Sequence, residues 1–163
     1  MPINKIISGG QTGVDRAALD AAIKNQIAHG GWCPRGRLAE DGNIADKYQL
    51  KETDSADYAL RTTWNVRDAD ATLILYAGKL EGGTGLTLQL ARTLRKPWLK
   101  ININKAVDPR KFMCWITEQQ IEILNIAGPR ESKHPGIYQK AFKLLNLFLK
   151  KINTEAQRTQ RKL

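Results

Sequence analysis

Two short glycine-rich stretches are where this sequence has the means to do chemistry. The first is Ser8-Gly9-Gly10-Gln11-Thr12-Gly13, and the second is Glu81-Gly82-Gly83-Thr84-Gly85. Each follows an apolar run and precedes a helical pattern. The first-turn N–H groups of a helix lack intrahelical partners and carry partial positive charge. Glycine removes the side chain and permits positive φ, so a phosphate oxygen can approach the backbone closely. Gly9, Gly10, Thr12 and Gly13 in one loop, and Gly82, Gly83, Thr84 and Gly85 in the other, are therefore candidate phosphate contacts. Neither loop is a G-x-G-x-x-G fingerprint, and no Gly-Lys-Ser/Thr follows either one. Alone, each reads equally well as a tight strand-to-helix turn. Two of them at strand carboxyl ends in one domain favour the anion, because those ends converge on the ligand crevice of a doubly wound sheet.

Polar partners are available nearby. Arg16, Arg35, Arg37 and Arg61 fall in loops or at element boundaries, and arginine suits bidentate phosphate contacts. Arg61 stands out because Thr62, Trp64 and Asn65 surround it. Trp64 either stacks on a base or pterin or belongs to the core. Arg130, in Gly128-Pro129-Arg130-Glu131-Ser132, either meets an anion or pairs with Glu131. Glu40 and Asp41 are the only candidates for catalytic acid or base or for ribose contacts, and solvated loop acids are the alternative. His29, His134, Cys33 and Cys114 share no metal-ligand spacing, so no metal site is expected. No nucleophile-elbow sequence supports a Ser-His-Asp set.

These groups need elements to position them. Residues 3–8 read as a buried strand. A helix follows with Val14, Ala17, Ala18, Ala21 and Ala22 on one face, capped by Thr12 with Asp15 completing a capping box, and ending near Gly30-Gly31. Residues 32–55 form a long polar loop with at most one short strand. A helix over 58–68, a strand over 71–77, a loop over 78–85, a helix over 86–94 and a strand over 98–103 come next. Asp108 and Pro109 open a helix, residues 121–127 make a strand, and 135–152 the last helix. Alternating helices and short apolar strands predict an α/β fold, a doubly wound, mostly parallel sheet with helices on both faces. One domain spans residues 1–152, and 153–163 form a basic polar tail expected to fray.

The formal charge is +10, of which residues 150–163 contribute +4 through five basic residues against Glu155. The surplus attracts anions, but no aromatic-interleaved basic stretch points to nucleic acid, which is not an expected partner. No apolar stretch reaches a membrane span. Two isolated cysteines and a start without a signal-peptide pattern point to the cytoplasm.

The same residues resemble the putative molybdenum carrier family. The likeness lies in residues 8–20 (SGGQTGVDRAALD), Gly31-Trp32-Cys33-Pro34-Arg35-Gly36-Arg37, Ala39-Glu40-Asp41-Gly42, Arg61-Thr62-Thr63-Trp64-Asn65-Val66, Gly82-Gly83-Thr84-Gly85 and residues 128–132. It implies a Rossmann-like fold, a nucleotide or molybdenum-cofactor (molybdopterin-type) ligand, and a homo-oligomer, dimer or tetramer. The wider group includes phosphoribohydrolases, which carry a Pro-Gly-Gly-x-Gly-Thr motif followed by a catalytic glutamate. Here no acid follows Gly85 within Leu86-Thr87-Leu88-Gln89. The reading is thus a binding or carrier protein for a small phosphorylated ligand, with nucleotide N-glycosidic hydrolysis as the alternative and nucleic-acid binding through the basic surface as a weaker one.

Overall fold

Short apolar runs become four of the five strands of the central sheet. The computed structural model describes residues 3–163. In chain order the elements are β1 (Lys5–Ile7), α1 (Val14–Lys24), β2 (Ala28–Gly30), β3 (Trp32–Cys33), β4 (Leu38–Ala39), β5 (Gly42–Asn43) and β6 (Lys51–Glu52). They continue with α2 (Tyr58–Asp68), β7 (Ala71–Tyr76), α3 (Gly82–Thr93), β8 (Trp98–Asn102), α4 (Pro109–Glu118), β9 (Ile123–Ala127) and α5 (Ile137–Gln160). Five strands form the central sheet in the order β2-β1-β9-β7-β8, with every pairing parallel. The fold is the α/β, parallel-sheet one that the alternation predicts, and it is Rossmann-like, as the resemblance implies.

Alternation along each strand sorts side chains between the two faces. Leu73, Leu75, Leu124 and Ile126 enter a core with Val14, Ala17, Ala18 and Ala21 of α1, Phe112 and Ile116 of α4, and Ala141, Leu145 and Phe148 of α5. Ile74 and Asn125, between those leucines and isoleucines, are buried on the opposite face, where α3 packs on β7 and α2 on α3. The run of alanines lets α1 lie close to α5.

The excursion from β3 to β6 has its own small core of Leu19, Cys33, Ala39, Ile44, Tyr48 and Leu50. The Arg37 guanidinium holds it together by donating to the carbonyls of Ile44, Ala45, Tyr48 and Leu50. The Asp20 carboxylate on α1 ties this excursion and α5 together, accepting from Tyr48 Oη at 2.6 Å and Tyr138 Oη at 2.5 Å. Burial, and then the Asp20 bond, push the Tyr138 phenol up to about 12.

Several expectations are corrected. Thr12 does not cap α1. The N-cap is Gly13, with no side-chain hydrogen bond, and the Asp15 carboxylate accepts from Gln11 N at 3.4 Å instead of completing a capping box. The first helix stops at Lys24, because residues 28–30 are needed as edge strand β2 beside β1. Gly82 to Gly85 are the first turn of α3, not a loop, since tertiary packing on β7 overrides glycine's poor helix propensity. Helix α5 continues past Ile152, which is buried, to Gln160, so the stretch expected to fray is helical over most of its length. Asp108 caps α4 as its sequence indicates, accepting from Arg110 N at 2.9 Å.

Candidate functional site

β7 and β9 lie side by side and point the same way, yet their chains leave toward opposite faces. β7 runs into α3 on one face and β9 into α5 on the other. Divergence of this kind opens a crevice at the strand carboxyl ends, where ligands of α/β sheets bind. A cavity of about 270 Å³ sits there. Its inner end is made by buried residues, namely Gly9, Gln11, Asp15, Arg61, Asn65 and Asn125. Its mouth is made by exposed or half-exposed ones, chiefly Lys79, Glu81, Gly82, Gly83, Arg130 and Lys133.

The second glycine stretch supplies free backbone donors. Helix α3 begins with Glu81 as N-cap, which makes no side-chain cap hydrogen bond. The N–H groups of Gly82, Gly83 and Thr84 precede the first intrahelical bond, Gly85 N to Glu81 O at 3.2 Å. A side chain at Gly83 would meet nothing within 4 Å, so the approach to these donors is open.

The first glycine stretch is built differently. Gly10 N donates to Ser8 Oγ, Gln11 N to Asp15 Oδ2, Thr12 N to Gln11 Oε1 and Val14 N to the carbonyl of Pro129. Gly10 lies against Leu50 and Ile44, and Gly13 against the backbone of residues 129–131. This loop packs on its neighbours and presents only Gly9 and Gln11 to the cavity. The N-terminus of α5 is likewise occupied, because the Glu131 carboxylate accepts from Gly136 N and Tyr138 N.

Of the residues expected from sequence, the fold brings Gly9, Arg61, Asn65, Gly82, Gly83, Thr84 and Arg130 to the cavity. Gly10, Thr12, Gly13, Arg16, Gly85, Glu40 and Asp41 are not in its wall. Arg61 reaches in from the first turns of α2. Its Nη1 donates to the Gly9 carbonyl at 2.7 Å and pairs with Asp15 Oδ2 at 3.5 Å. Burial raises the Asp15 carboxyl above its ordinary value, and the Arg61 charge opposes that rise. Two guanidinium groups lie over the Tyr58 ring, Arg61 at 5.2 Å and Arg130 at 5.9 Å from its centre. Asn65 grips the backbone of Trp32, accepting from its N–H at 2.8 Å and donating to its carbonyl at 2.9 Å. Trp64 is taken up by an edge contact with Trp32 and by Arg67 over its ring.

Arg16 and Asp41 form an ion pair at 3.0 Å, and Arg16 also donates to the Gly10 carbonyl. Glu40 joins three loops. Its carboxylate accepts from Thr12 Oγ1, from Ser132 N at 3.1 Å and from Ser132 Oγ at 2.5 Å, with Arg130 at 3.9 Å. Partial burial works against ionisation, but the bonds from Ser132 and Thr12 prevail and hold this carboxyl below its ordinary value. A depressed carboxyl contributes stability at pH above its unfolded value that is lost as pH falls through the folded one. Below about pH 4 the Ser132 amide is therefore expected to exchange faster. NMR exchange rates measured against pH should show this acid step in the wild type and not in Glu40→Gln.

Sequence reasoning missed Gln11, Asp15, Asn125, Lys79 and Lys133 as wall residues. Asn125 carried a readable signal, a single amide inside the apolar run Ile123-Leu124-Asn125-Ile126-Ala127. It donates to its registered neighbour Thr72 at 3.3 Å. Among the described residues, no group of histidine, cysteine and carboxylate side chains is arranged to hold a metal ion.

The sheet order carries one more fact. Counted with β9 first, β2-β1-β9-β7-β8 reads 3-2-1-4-5, the core order of dinucleotide-binding sheets. The chain's last strand therefore holds the place of that fold's first. A model of the circularly permutated YpsA SLOG family matches residues 6–149. The chain belongs to this family. Consistent with membership, the crystal structure of a protein described as a putative molybdenum carrier protein from Syntrophus aciditrophicus SB shares 49% identity. The match covers 91% of this chain and 96% of that one, with a TM-score of 0.87. None of the curated proteins matches the chain. For a member of this family the permutation has a direct consequence. The turn that opens a Rossmann-type domain is here Gly128-Pro129-Arg130 after β9, near the chain's end, and not the glycine stretch after β1.

Proposed function

We propose that this protein binds and carries a small phosphorylated ligand, a nucleotide or a molybdopterin-type compound, with its phosphate at the N-terminus of α3. The observation that supports this best is the make-up of the cavity mouth. Open first-turn donors at Gly82, Gly83 and Thr84 face a rim where Lys79, Arg130 and Lys133 outnumber the single acid Glu81. Helix N-termini and cations of this kind stabilise phosphate. The cavity lies just below the usual range of about 300–1,000 Å³ for ligand sites, which suits one nucleotide or pterin unit. Molybdenum would reach such a site as an oxyanion or inside its organic cofactor, since oxyanion donors are what the rim supplies. The likeness to a protein described as a molybdenum carrier supports that cargo.

Carriage is favoured over hydrolysis because, of the two acids in the wall, Asp15 is held against Arg61 and the exposed Glu81 carboxylate makes no hydrogen bond that would place it. Cleaving an N-glycosidic bond requires a placed, free carboxylate. The same reading has a homo-oligomer working in the cytoplasm. Native mass spectrometry of freshly purified protein should reveal a retained phosphorylated ligand. Calorimetry with nucleoside monophosphates and molybdopterin should give binding that Lys79→Ala with Lys133→Ala weakens by ~10-fold or more. No retained ligand together with no heat from any of these compounds would refute the reading. Release of free base during incubation with nucleotides would favour the hydrolase.

A further inference from the structure

The deep end of the cavity holds one hydrogen-bond donor that the fold leaves unused. Gln11 is 5% exposed and lies in the cavity wall. Its Oε1 accepts two backbone N–H groups, Thr12 at 3.0 Å and Glu40 at 2.8 Å. Those two donors fix which way the amide points, because the reversed amide would set its NH2 against both. Nε2 is thereby committed as a donor, and it has no partner among the described residues. Leaving a buried donor unpaired is costly, so the position is explained best by an acceptor that arrives with the ligand.

Charge decides what kind of acceptor. Lys79, Arg130 and Lys133 are at the mouth, with Glu81 alone opposing them. The inner end carries one buried cation and one buried anion, Arg61 and Asp15, already paired at 3.5 Å. A phosphate is therefore stabilised at the mouth, and the inner end, which has no surplus charge, suits a neutral group. A lactam carbonyl on a ring attached to a phosphate is a neutral acceptor of this kind. The same ring position carrying an amino group would oppose a donor to the Nε2 donor.

Resting on the phosphate-at-α3 reading, we propose that the ligand enters ring-first and that Gln11 Nε2 selects a lactam carbonyl, as on a 6-oxopurine or a pterin, against an amino-substituted ring. Guanine O6 is such an acceptor and adenine N6 is a donor. A site built around one hydrogen bond discriminates strongly, because the wrong ring leaves that bond unmade.

Calorimetry with GMP, AMP and neopterin phosphate tests this. The wild type is expected to bind GMP or neopterin phosphate at least ~10-fold tighter than AMP, and whichever of the two binds tighter identifies the source of the carbonyl. Gln11→Glu keeps an oxygen for Thr12 N and Glu40 N and turns an acceptor toward the ligand, so its preference should move toward AMP. Gln11→Met, which matches the volume without a donor, should lose the preference without reversing it; it decides the matter if Gln11→Glu does not fold. Equal binding of GMP, neopterin phosphate and AMP by the wild type, or tighter binding of AMP, would overturn the role of Gln11 while leaving the phosphate site standing. Binding of none of the three compounds would overturn the phosphate reading and this inference together.

Discussion

Arg61→Met is expected to cost about 3–5 kcal/mol of folding stability, because it strands the buried Asp15 carboxylate without its cation. Both side chains are largely out of solvent, at 11% and 8% exposure, and their contact is 3.5 Å. The loss also opens the Gly9 carbonyl, which Arg61 Nη1 satisfies at 2.7 Å. The sign of the pH dependence follows from the raised Asp15 carboxyl, whose cause is burial. A carboxyl raised in the folded state contributes stability that is complete below its unfolded value, about 3.9, and is lost as pH rises through the folded one. Without Arg61 the folded value moves further up. The stability gap between variant and wild type should therefore be small near pH 4 and widen toward pH 7. Urea midpoints across that range measure it. Adding Asp15→Asn to Arg61→Met should recover part of the loss at pH 7, since it removes the charge that lost its partner. A gap that does not change with pH would show that the pair is not the source of the effect.

Gly13→Ala should lower stability by about 3 kcal/mol, the sum of backbone strain and overpacking. Gly13 has φ 76° and ψ −129°, a conformation that side chains rarely adopt. A Cβ there would come within 2.3 Å of the Pro129 carbonyl and 2.9 Å of Glu131 N. These are main-chain atoms, fixed by the Val14 N to Pro129 O hydrogen bond at 3.2 Å, so they cannot swing aside as a side chain would. Gly83→Ala is the matched contrast. Its Cβ meets nothing within 4 Å, and alanine favours a helix over glycine by up to ~1 kcal/mol. Stability should be unchanged or slightly increased, while affinity for a nucleoside monophosphate falls because a methyl group now stands over the α3 donors. Thermal unfolding and calorimetry on the two variants separate a glycine kept for packing from one kept for access. If Gly13→Ala left stability intact, the close packing of the β1–α1 and β9–α5 turns would not be what requires glycine there.

The elements were largely legible because local forces define them. The apolar runs at 71–76 and 123–127, each broken by one polar residue, Thr72 and Asn125, are too short for a helix and read as buried strands, and the Asp108-Pro109 pair starts α4 by cap chemistry. Edge strand β2 was not legible, since Ala28-His29-Gly30 has no apolar pattern and pairs only because β1 offers an unfilled edge. The four two-residue strands of the excursion are fixed by one another and by Arg37, not by propensity.

Both glycine stretches were visible as special, and so was Arg61. What their composition could not distinguish is a glycine that clears the way for an anion from one that clears the way for another loop. That distinction depends on which segment arrives opposite, and residues 128–132 arrive opposite Gly13 from more than a hundred positions away. Asp15 likewise has the spacing of a capping residue. It becomes half of a buried ion pair only because α2 carries Arg61 across the β1–α1 turn. The sequence by itself determined the α/β class, the parallel sheet and the supply of donors, because strand burial, helix periodicity and glycine's freedom are local. The tertiary structure alone decided that β9 stands between β1 and β7, that α3 and not α1 keeps its N-terminus open, and that one buried amide is left with a donor to offer. The physical reason is that each of these depends on contacts between residues far apart in the chain, which no local preference encodes.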